Sequence, residues 1–97
     1  MKELPEPIQF EWDKGNSNKN FIKHNVTIRE SEEIFNNRPL FVSHYKAHSG
    51  SEERFQALGK TANGRLLFVA FTIRYDNVRI ISVRDMNQKE KQIYEKI

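Results

Sequence analysis

The strongest constraint on the fold is an uninterrupted apolar run in the second half of the chain, from Leu66 to Ile73. Turn-forming pairs flank this run, Asn63-Gly64 before it and Asp76-Asn77 after it, and such residues tolerate positive φ. An apolar run of this length between two turns is typical of a strand covered on both faces. We therefore predict that Arg65–Arg74 forms a strand at the centre of a sheet.

Three further segments around this run have the composition of strands. They are Leu40–Lys46, Arg54–Lys60 and Val78–Arg84. A polar loop is predicted at residues 47–51. A C-terminal helix is predicted to start near Asn87, because Glu90 stands three residues later, as in a capping box. The order predicts an antiparallel meander followed by a helix.

The start of the chain predicts an extended lead and a short strand. Residues 1–7 contain two prolines, which disfavour helix at their own position and at the residue before. Ile8, Phe10 and Trp12 then alternate with polar residues, which is the pattern of a half-buried strand.

Two helices are predicted between that strand and the meander. The first covers Lys14–His24 with Asp13 as its N-cap, although its glycine and asparagines have poor helix propensity. The second covers residues 28–37, because Thr27 and Glu30 form a capping box, and Pro39 ends it.

These elements predict a single α+β domain over residues 1–97, in which an antiparallel β-meander packs against N-terminal helices and a C-terminal helix. The chain has no cysteine, which excludes disulfides and thiolate zinc sites. No metal-ligand spacing and no phosphate-binding glycine loop is present, so we expect neither metal nor cofactor. With no signal-peptide pattern and no apolar run long enough to span a bilayer, the expected location is the cytoplasm.

Charge is distributed unevenly along the chain, whose formal net charge is +3. Residues 1–53 carry seven Lys and Arg against nine Asp and Glu, while residues 54–97 carry nine against four. A basic second half favours a polyanionic ligand such as nucleic acid, although a solvated basic surface has the same composition.

Five arginines lie in or beside the predicted meander: Arg54, Arg65, Arg74, Arg79 and Arg84. The register of the last hairpin decides which of them share a sheet face, and the sequence leaves two possibilities open. With an Asp76-Asn77 loop, Arg74 shares a face with Arg79. With a Tyr75-Asp76-Asn77 loop, Arg74 instead shares one with Arg84, Thr72 and Ser82. Either register brings at least two guanidinium groups together, a geometry that suits phosphate oxygens as well as a solvated strand face.

Histidines and one Glu-Arg pair are the candidate proton-transfer groups. Glu53 beside Arg54 predicts either a general base next to an electrostatic anchor or one end of a surface ion pair. His48, in a predicted loop, is the best-placed histidine. His44 lies in a predicted strand, and His24 at a predicted helix end is more simply a C-terminal cap.

Several short motifs, taken in order and spacing, resemble the BrnT-type toxins of bacterial type II toxin-antitoxin systems. They are Phe10-Glu11-Trp12-Asp13, Asn20, Lys23-His24, His48-Ser49, Glu52-Glu53-Arg54-Phe55, Gly64-Arg65, Thr72-Ile73-Arg74, Arg79 to Met86, Glu90 and Tyr94. The resemblance covers about residues 8–95. It implies a fold similar to the RelE and ParE toxins, a ribonuclease that arrests translation, and a DNA-binding antitoxin of the ribbon-helix-helix type.

The resemblance also implies roles for individual residues in metal-independent RNA cleavage. The expected catalytic residues are Glu53, Arg54, Arg74, Arg79 and His48, and the expected RNA-binding residues are Lys23, His24, Arg84 and Tyr94. Glu53 or His48 would take the proton of the ribose 2′-OH, the arginines would hold the phosphate, and Lys23 or Tyr94 would assist the leaving group. DNA would be contacted only through the antitoxin. A toxin of the same fold that binds a protein target without nuclease activity is the alternative.

Overall fold

Four strands form one antiparallel sheet in which each strand lies beside the next along the chain. The computed structural model describes residues 4–17, 24–45 and 52–97. The strands are β1 (Phe41–His44), β2 (Phe55–Lys60), β3 (Leu66–Arg74) and β4 (Asn77–Asp85). The predicted meander is confirmed, and β3 lies in the interior of the sheet between β2 and β4.

The strand bounds differ slightly from those predicted. β1 ends at His44, whereas the predicted strand continued to Lys46, which lies outside the described residues together with the predicted loop at 47–51. β4 begins at Asn77 and ends at Asp85, and so is one residue longer than predicted at each end.

Within the described ranges, two complete helices flank the sheet, α1 (Ile28–Glu33) and α2 (Gln88–Glu95). Both begin at the predicted capping boxes: Thr27 accepts from the backbone N–H of Glu30, and Asn87 accepts from that of Glu90. The predicted helix over residues 28–37 is partly wrong, because α1 passes into a 3₁₀ turn at Ile34–Asn36. Asn37 then leaves the helix and donates its side-chain amide to the carbonyl of Lys60 at 2.8 Å.

The strand predicted at Ile8–Trp12 is reduced to one bridge, in which Phe10 pairs in parallel with Val78 of β4. Val78 donates its N–H to the carbonyl of Gln9 at 2.7 Å, and its carbonyl accepts from Glu11 at 2.9 Å. The pairing ends there. The next β4 carbonyl on this edge, that of Ile80, accepts from the side chain of Asn16 instead of from a neighbouring strand.

The first predicted helix, Lys14–His24, does not begin where predicted. Residues 14–17 form a turn in which the carbonyl of Asp13 accepts from the N–H groups of Asn16 and Ser17. The Asp13 side chain caps this turn by accepting from the N–H of Gly15 at 2.8 Å. Residues 18–23 of the predicted helix lie outside the described residues.

The two sheet faces are covered to different extents. One face carries the larger core, in which the ring of Phe71 packs on those of Phe35 and Phe55 with centroids 5.3 and 5.5 Å apart. Its members are Val26, Ile34, Phe35, Val42, Phe55, Ala57, Leu67, Val69, Phe71, Val78, Ile80 and Val83.

The opposite face carries a smaller apolar cluster, in which Tyr94 of α2 packs with residues of β2 and β3. Its buried members are Leu58, Phe68, Ala70, Met86 and Tyr94. Along β3 this cluster ends at Ala70, and the next two residues on that face, Thr72 and Arg74, line a cleft.

Candidate active site

The last hairpin has a register that differs from both predicted alternatives. Its loop is Tyr75-Asp76, closed by the pairing of Arg74 with Asn77. Both loop residues have positive φ, 50° and 63°, as the two central positions of a type I′ turn require. Neither the Asp76-Asn77 loop nor the three-residue loop is therefore correct.

A β-bulge in β4 then decides which arginines share a face. Phe71 pairs with Ile80, but Ala70 pairs with Ser82, so Ile81 is an extra residue in β4. Arg84 comes five residues after Arg79. In a regular strand their side chains would therefore point to opposite faces, because side chains alternate between the two faces. The extra residue places both on the face of Thr72 and Arg74.

Three arginines meet at the uncovered end of this face. Arg79 lies opposite Thr72 on the neighbouring strand, and Arg54 precedes Phe55, whose partner on β3 is Phe71. Together with Arg74 they line a cleft of about 190 Å³. The remaining lining residues are Gly15, Asn16, Glu52, Thr72 and Ile81.

Arg54 differs from the other two arginines in its hydrogen bonding. Its Nε is buried and has no hydrogen-bond partner in the described part of the chain. A buried guanidinium donor without an acceptor is unfavourable unless a ligand or water supplies one. Because this atom is buried, an acceptor would reach it only if the surrounding side chains shifted.

Carboxylates hold the other two arginines in place. Glu52 accepts from Nε and Nη2 of Arg74 at 2.6 and 3.1 Å, in a bidentate arrangement. Arg79 donates to Asp13 at 2.9 and 3.1 Å and to Glu11 at 3.0 Å.

These ion pairs change the pKa of each partner. The hydrogen bond from Arg79 lowers the pKa of Asp13, and the hydrogen bond from Arg74 lowers the pKa of Glu52. The same contacts raise the pKa of Arg74 and of Arg79. The carboxylates thus stay ionised well into acid conditions and keep both guanidinium groups oriented.

One buried asparagine positions the acidic segment against β4. Asn16 is 2% exposed, and its side-chain amide donates to the carbonyls of Glu11 and Ile80 at 3.0 and 2.9 Å. Its Oδ1 accepts from the N–H of Asp13 at 2.8 Å. Gly15 leaves room for Arg79, because a Cβ at Gly15 would lie 3.1 Å from Nη2. Asp13 therefore reaches Arg79 from a rigid turn.

The candidate proton-transfer residues do not all reach this cleft. Glu53 is not among its lining residues, and its carboxylate lies 3.5 Å from Nδ1 of His44. The backbone carbonyl of Glu53 accepts from the hydroxyl of Thr72 at 2.7 Å, so its main chain borders the cleft. His48 and Lys23 lie outside the described residues, and His24 is exposed.

Two of the expected RNA-binding residues are not among those that line the cleft: Arg84 contacts α2, and Tyr94 belongs to α2. Arg84 forms a bidentate pair with Glu90 at 2.8 and 2.9 Å, and its guanidinium carbon stands 4.1 Å from the centroid of the Phe68 ring. Tyr94 is buried and donates its hydroxyl to the carbonyl of Pro39 at 2.5 Å. Burial raises the pKa of this tyrosine.

Five residues of the site were missed from the sequence: Glu11, Asp13, Asn16, Glu52 and Thr72. Glu52 and Glu53 are adjacent, and only the structure shows that Glu52 is the one that contacts Arg74. Asp13 was interpreted as a cap, which it is, and its second role depends on a contact 66 residues away along the chain. Sequence spacing alone carries no signal for such a contact.

The described residues hold no group of three or more His, Cys, Asp and Glu arranged to bind a metal ion. Among the helices of the same residues, none is long and apolar enough to cross a membrane.

The fold and the cleft define a small α+β protein with arginines gathered on one open sheet face. The family model described as "Ribonuclease toxin, BrnT, of type II toxin-antitoxin system" matches residues 12–90. The chain belongs to this family of RNA-cleaving toxins, each of which pairs with an antitoxin. A comparison with curated proteins finds no match.

Proposed function

We propose that the arginine-lined cleft cleaves RNA without a metal ion, by attack of a ribose 2′-OH on the adjacent phosphate. In this reaction the bond from the 2′ oxygen to phosphorus forms and the bond from phosphorus to the 5′ oxygen breaks. The 2′ proton passes to a base, and the 5′ oxygen receives a proton. The products are a 2′,3′-cyclic phosphate and a 5′-hydroxyl end.

The observation that carries this proposal is the convergence of Arg54, Arg74 and Arg79 on one cleft. The transition state of phosphoryl transfer gathers negative charge on the phosphate oxygens, and preorganised donors stabilise that charge without reorganising. The ion pairs of Arg74 and Arg79 supply the preorganisation. Arg54 adds a third positive charge to the cleft, and its Nε has no acceptor among the described residues.

For the proton transfers we propose Glu53 or His48 as the base. Glu52 is disfavoured for this role, because both of its oxygens accept from Arg74 and its pKa is lowered. Lys23 would assist the leaving group, and His24 and Arg84 would contact the flanking RNA. Tyr94, the alternative for the leaving group, is disfavoured because its buried hydroxyl donates to the carbonyl of Pro39.

On the scale of the cell, we propose a cytoplasmic toxin that arrests translation by cutting RNA, with a fold similar to the RelE and ParE toxins. The sheet order and the flanking helices are compatible with that fold. Its antitoxin would be a DNA-binding protein of the ribbon-helix-helix type. An acidic or amphipathic segment of that antitoxin suits the basic cleft, because opposite charges steer association.

The test is incubation of the purified protein with single-stranded RNA in EDTA, followed by analysis of the fragment ends. We expect 2′,3′-cyclic phosphates, and no cleavage of an RNA methylated at every 2′ oxygen. Arg74→Ala and Arg79→Ala should lower the rate by about 100-fold or more, the usual effect of removing one charge-stabilising donor.

Arg29→Ala is the matched control, because it removes the same charge from a side chain that is 90% exposed on α1. It should cleave as the wild type does. Intact RNA with the wild-type protein would favour a toxin that acts through a protein target, and cleavage abolished by EDTA would contradict metal independence.

A further inference from the structure

One exposed aromatic residue, Tyr75, stands at the tip of the β3–β4 hairpin directly after a cleft arginine. Its exposed fraction is 96%, the largest among the exposed large hydrophobic residues of the described chain. It follows Arg74, and a strand residue advances the chain by about 3.4 Å, so Tyr75 lies about 10 Å along the hairpin from Thr72. At this separation, a nucleotide that flanks a phosphate bound in the cleft can reach the ring.

The backbone at Tyr75 is unfavourable for a tyrosine. Its φ is 50°, and the next residue, Asp76, also has a positive φ of 63°. The first central position of a type I′ turn favours asparagine, aspartate or glycine, since a bulky side chain is strained in the left-handed region. This tyrosine therefore fits neither the usual preference of the turn nor a role in core packing.

The surroundings of the ring suit a base better than a phosphate. Tyr75 borders a groove of about 310 Å³, whose lining includes two amide residues, Gln9 and Asn77, and two prolines, Pro5 and Pro7.

Glu6 and Asp76 also line the groove. Carboxylates at such positions repel phosphate but accept hydrogen bonds from amino groups of bases. Charge thus divides the surface into an arginine cleft for phosphate and a groove with acidic and amide groups beside an aromatic ring.

We propose that Tyr75 is an RNA-binding residue, on whose ring a base flanking the cleaved phosphate stacks, with that base held in the adjoining groove. This inference rests on the proposed RNA-cleaving function and adds a residue that binds the RNA substrate. Bases stack on aromatic side chains in single-stranded RNA recognition, and every base offers a face for it.

The test compares Tyr75→Asn, which removes the ring and suits the turn, with Tyr75→Trp, which keeps a ring. Binding is measured with a single-stranded oligonucleotide methylated at every 2′ oxygen, so that cleavage does not interfere. We expect Tyr75→Asn to bind about tenfold more weakly than the wild type and Tyr75→Trp to bind at least as well. The melting temperature of Tyr75→Asn should equal or exceed that of the wild type.

Ile97→Asn is the control, since it removes an exposed apolar side chain at the end of the chain, and its affinity for RNA should not change. Unchanged RNA affinity in Tyr75→Asn overturns the inference, and so does a lower melting temperature that accounts for the weaker binding. Unchanged RNA affinity with weaker antitoxin binding would assign the ring to the antitoxin instead. Failure of the wild type to cleave unmodified RNA contradicts the proposed function separately, because the binding assay does not depend on cleavage.

Discussion

The guanidinium group of Arg79 donates to both carboxylate oxygens of Asp13, at 2.9 and 3.1 Å, across 66 residues of chain. The Arg79 side chain is only 14% exposed, whereas that of Asp13 is 56% exposed, so the guanidinium group is shielded while its carboxylate partner faces solvent. It joins the turn at residues 14–17 to the edge strand β4. The segment before α1 is therefore part of the cleft and not only a lead into the fold.

Asn16 is expected to be the main support of that turn. Replacing it by alanine leaves the carbonyls of Glu11 and Ile80 and the N–H of Asp13 without their present partner. We expect Asn16→Ala to lower the free energy of unfolding by about 1–3 kcal/mol, which urea unfolding measures. Asn36→Ala, at an exposed asparagine in the 3₁₀ turn, is the control. Equal stability of the two variants would contradict the proposed role of Asn16.

Acid should weaken the ion pairs around the cleft. The pKa values of Asp13 and Glu52 are lowered from 3.8 and 4.5 in the folded protein, so the unfolded chain binds more protons as the pH falls. The two carboxylates contribute fully to stability at a pH above their ordinary pKa values. This contribution disappears as the pH falls through their lowered pKa values in the folded protein.

The double variant Asp13→Asn with Glu52→Gln should therefore lose less stability than the wild type between about pH 5 and pH 2. Unfolding by urea at a series of pH values measures this difference. Glu95→Gln, at the exposed end of α2, controls for the loss of one negative charge. Parallel curves for the wild type and the double variant would show that these carboxylates do not stabilise the fold.

The elements of the fold were predictable where the local signal was strong. The capping boxes at Thr27 and Asn87 gave the starts of both helices, and the apolar run from Leu66 identified the interior strand. Both signals depend on neighbours within a few residues, so the sequence contains them directly.

The site was less predictable, because its geometry depends on a bulge and a turn. The extra residue Ile81 moves the side chain of every later position in β4 to the opposite face of the sheet. No residue type in the sequence predicts this bulge. The Tyr75-Asp76 loop places two non-glycine residues at positive φ, contrary to the usual preference. The arginines were identified correctly as a group in one part of the sheet, but their acidic partners come from distant segments.

Close packing between the 3₁₀ turn and β2 should make Gly59 intolerant of a side chain. A Cβ at Gly59 would lie 2.9 Å from the Cβ of Ile34, which belongs to the main core. We expect Gly59→Ala to lower the free energy of unfolding by about 1–3 kcal/mol, the usual effect of overpacking. Lys60→Ala, at the half-buried next residue of β2, is the control for thermal unfolding. A Gly59→Ala protein as stable as the wild type would show that the turn moves away without penalty.

Antitoxin binding should stabilise the toxin measurably, because a partner that binds only the folded state shifts the unfolding equilibrium. At a free antitoxin concentration about 100 times the Kd, the gain is about 2.7 kcal/mol. For a domain of this size that corresponds to a rise of about 10 °C or more in melting temperature. Differential scanning calorimetry of the toxin with and without antitoxin measures the rise.

If the antitoxin docks on the arginine cleft, its affinity should depend on the cleft charges. Arg74 is 42% exposed and ends β3 at the cleft rim, so Arg74→Ala should weaken binding and reduce its dependence on salt. Arg29→Ala, on α1, should leave both unchanged. If the antitoxin raises the melting temperature of both variants equally and its Kd does not change, the interface lies elsewhere. The antitoxin would then block activity without covering the arginine cleft.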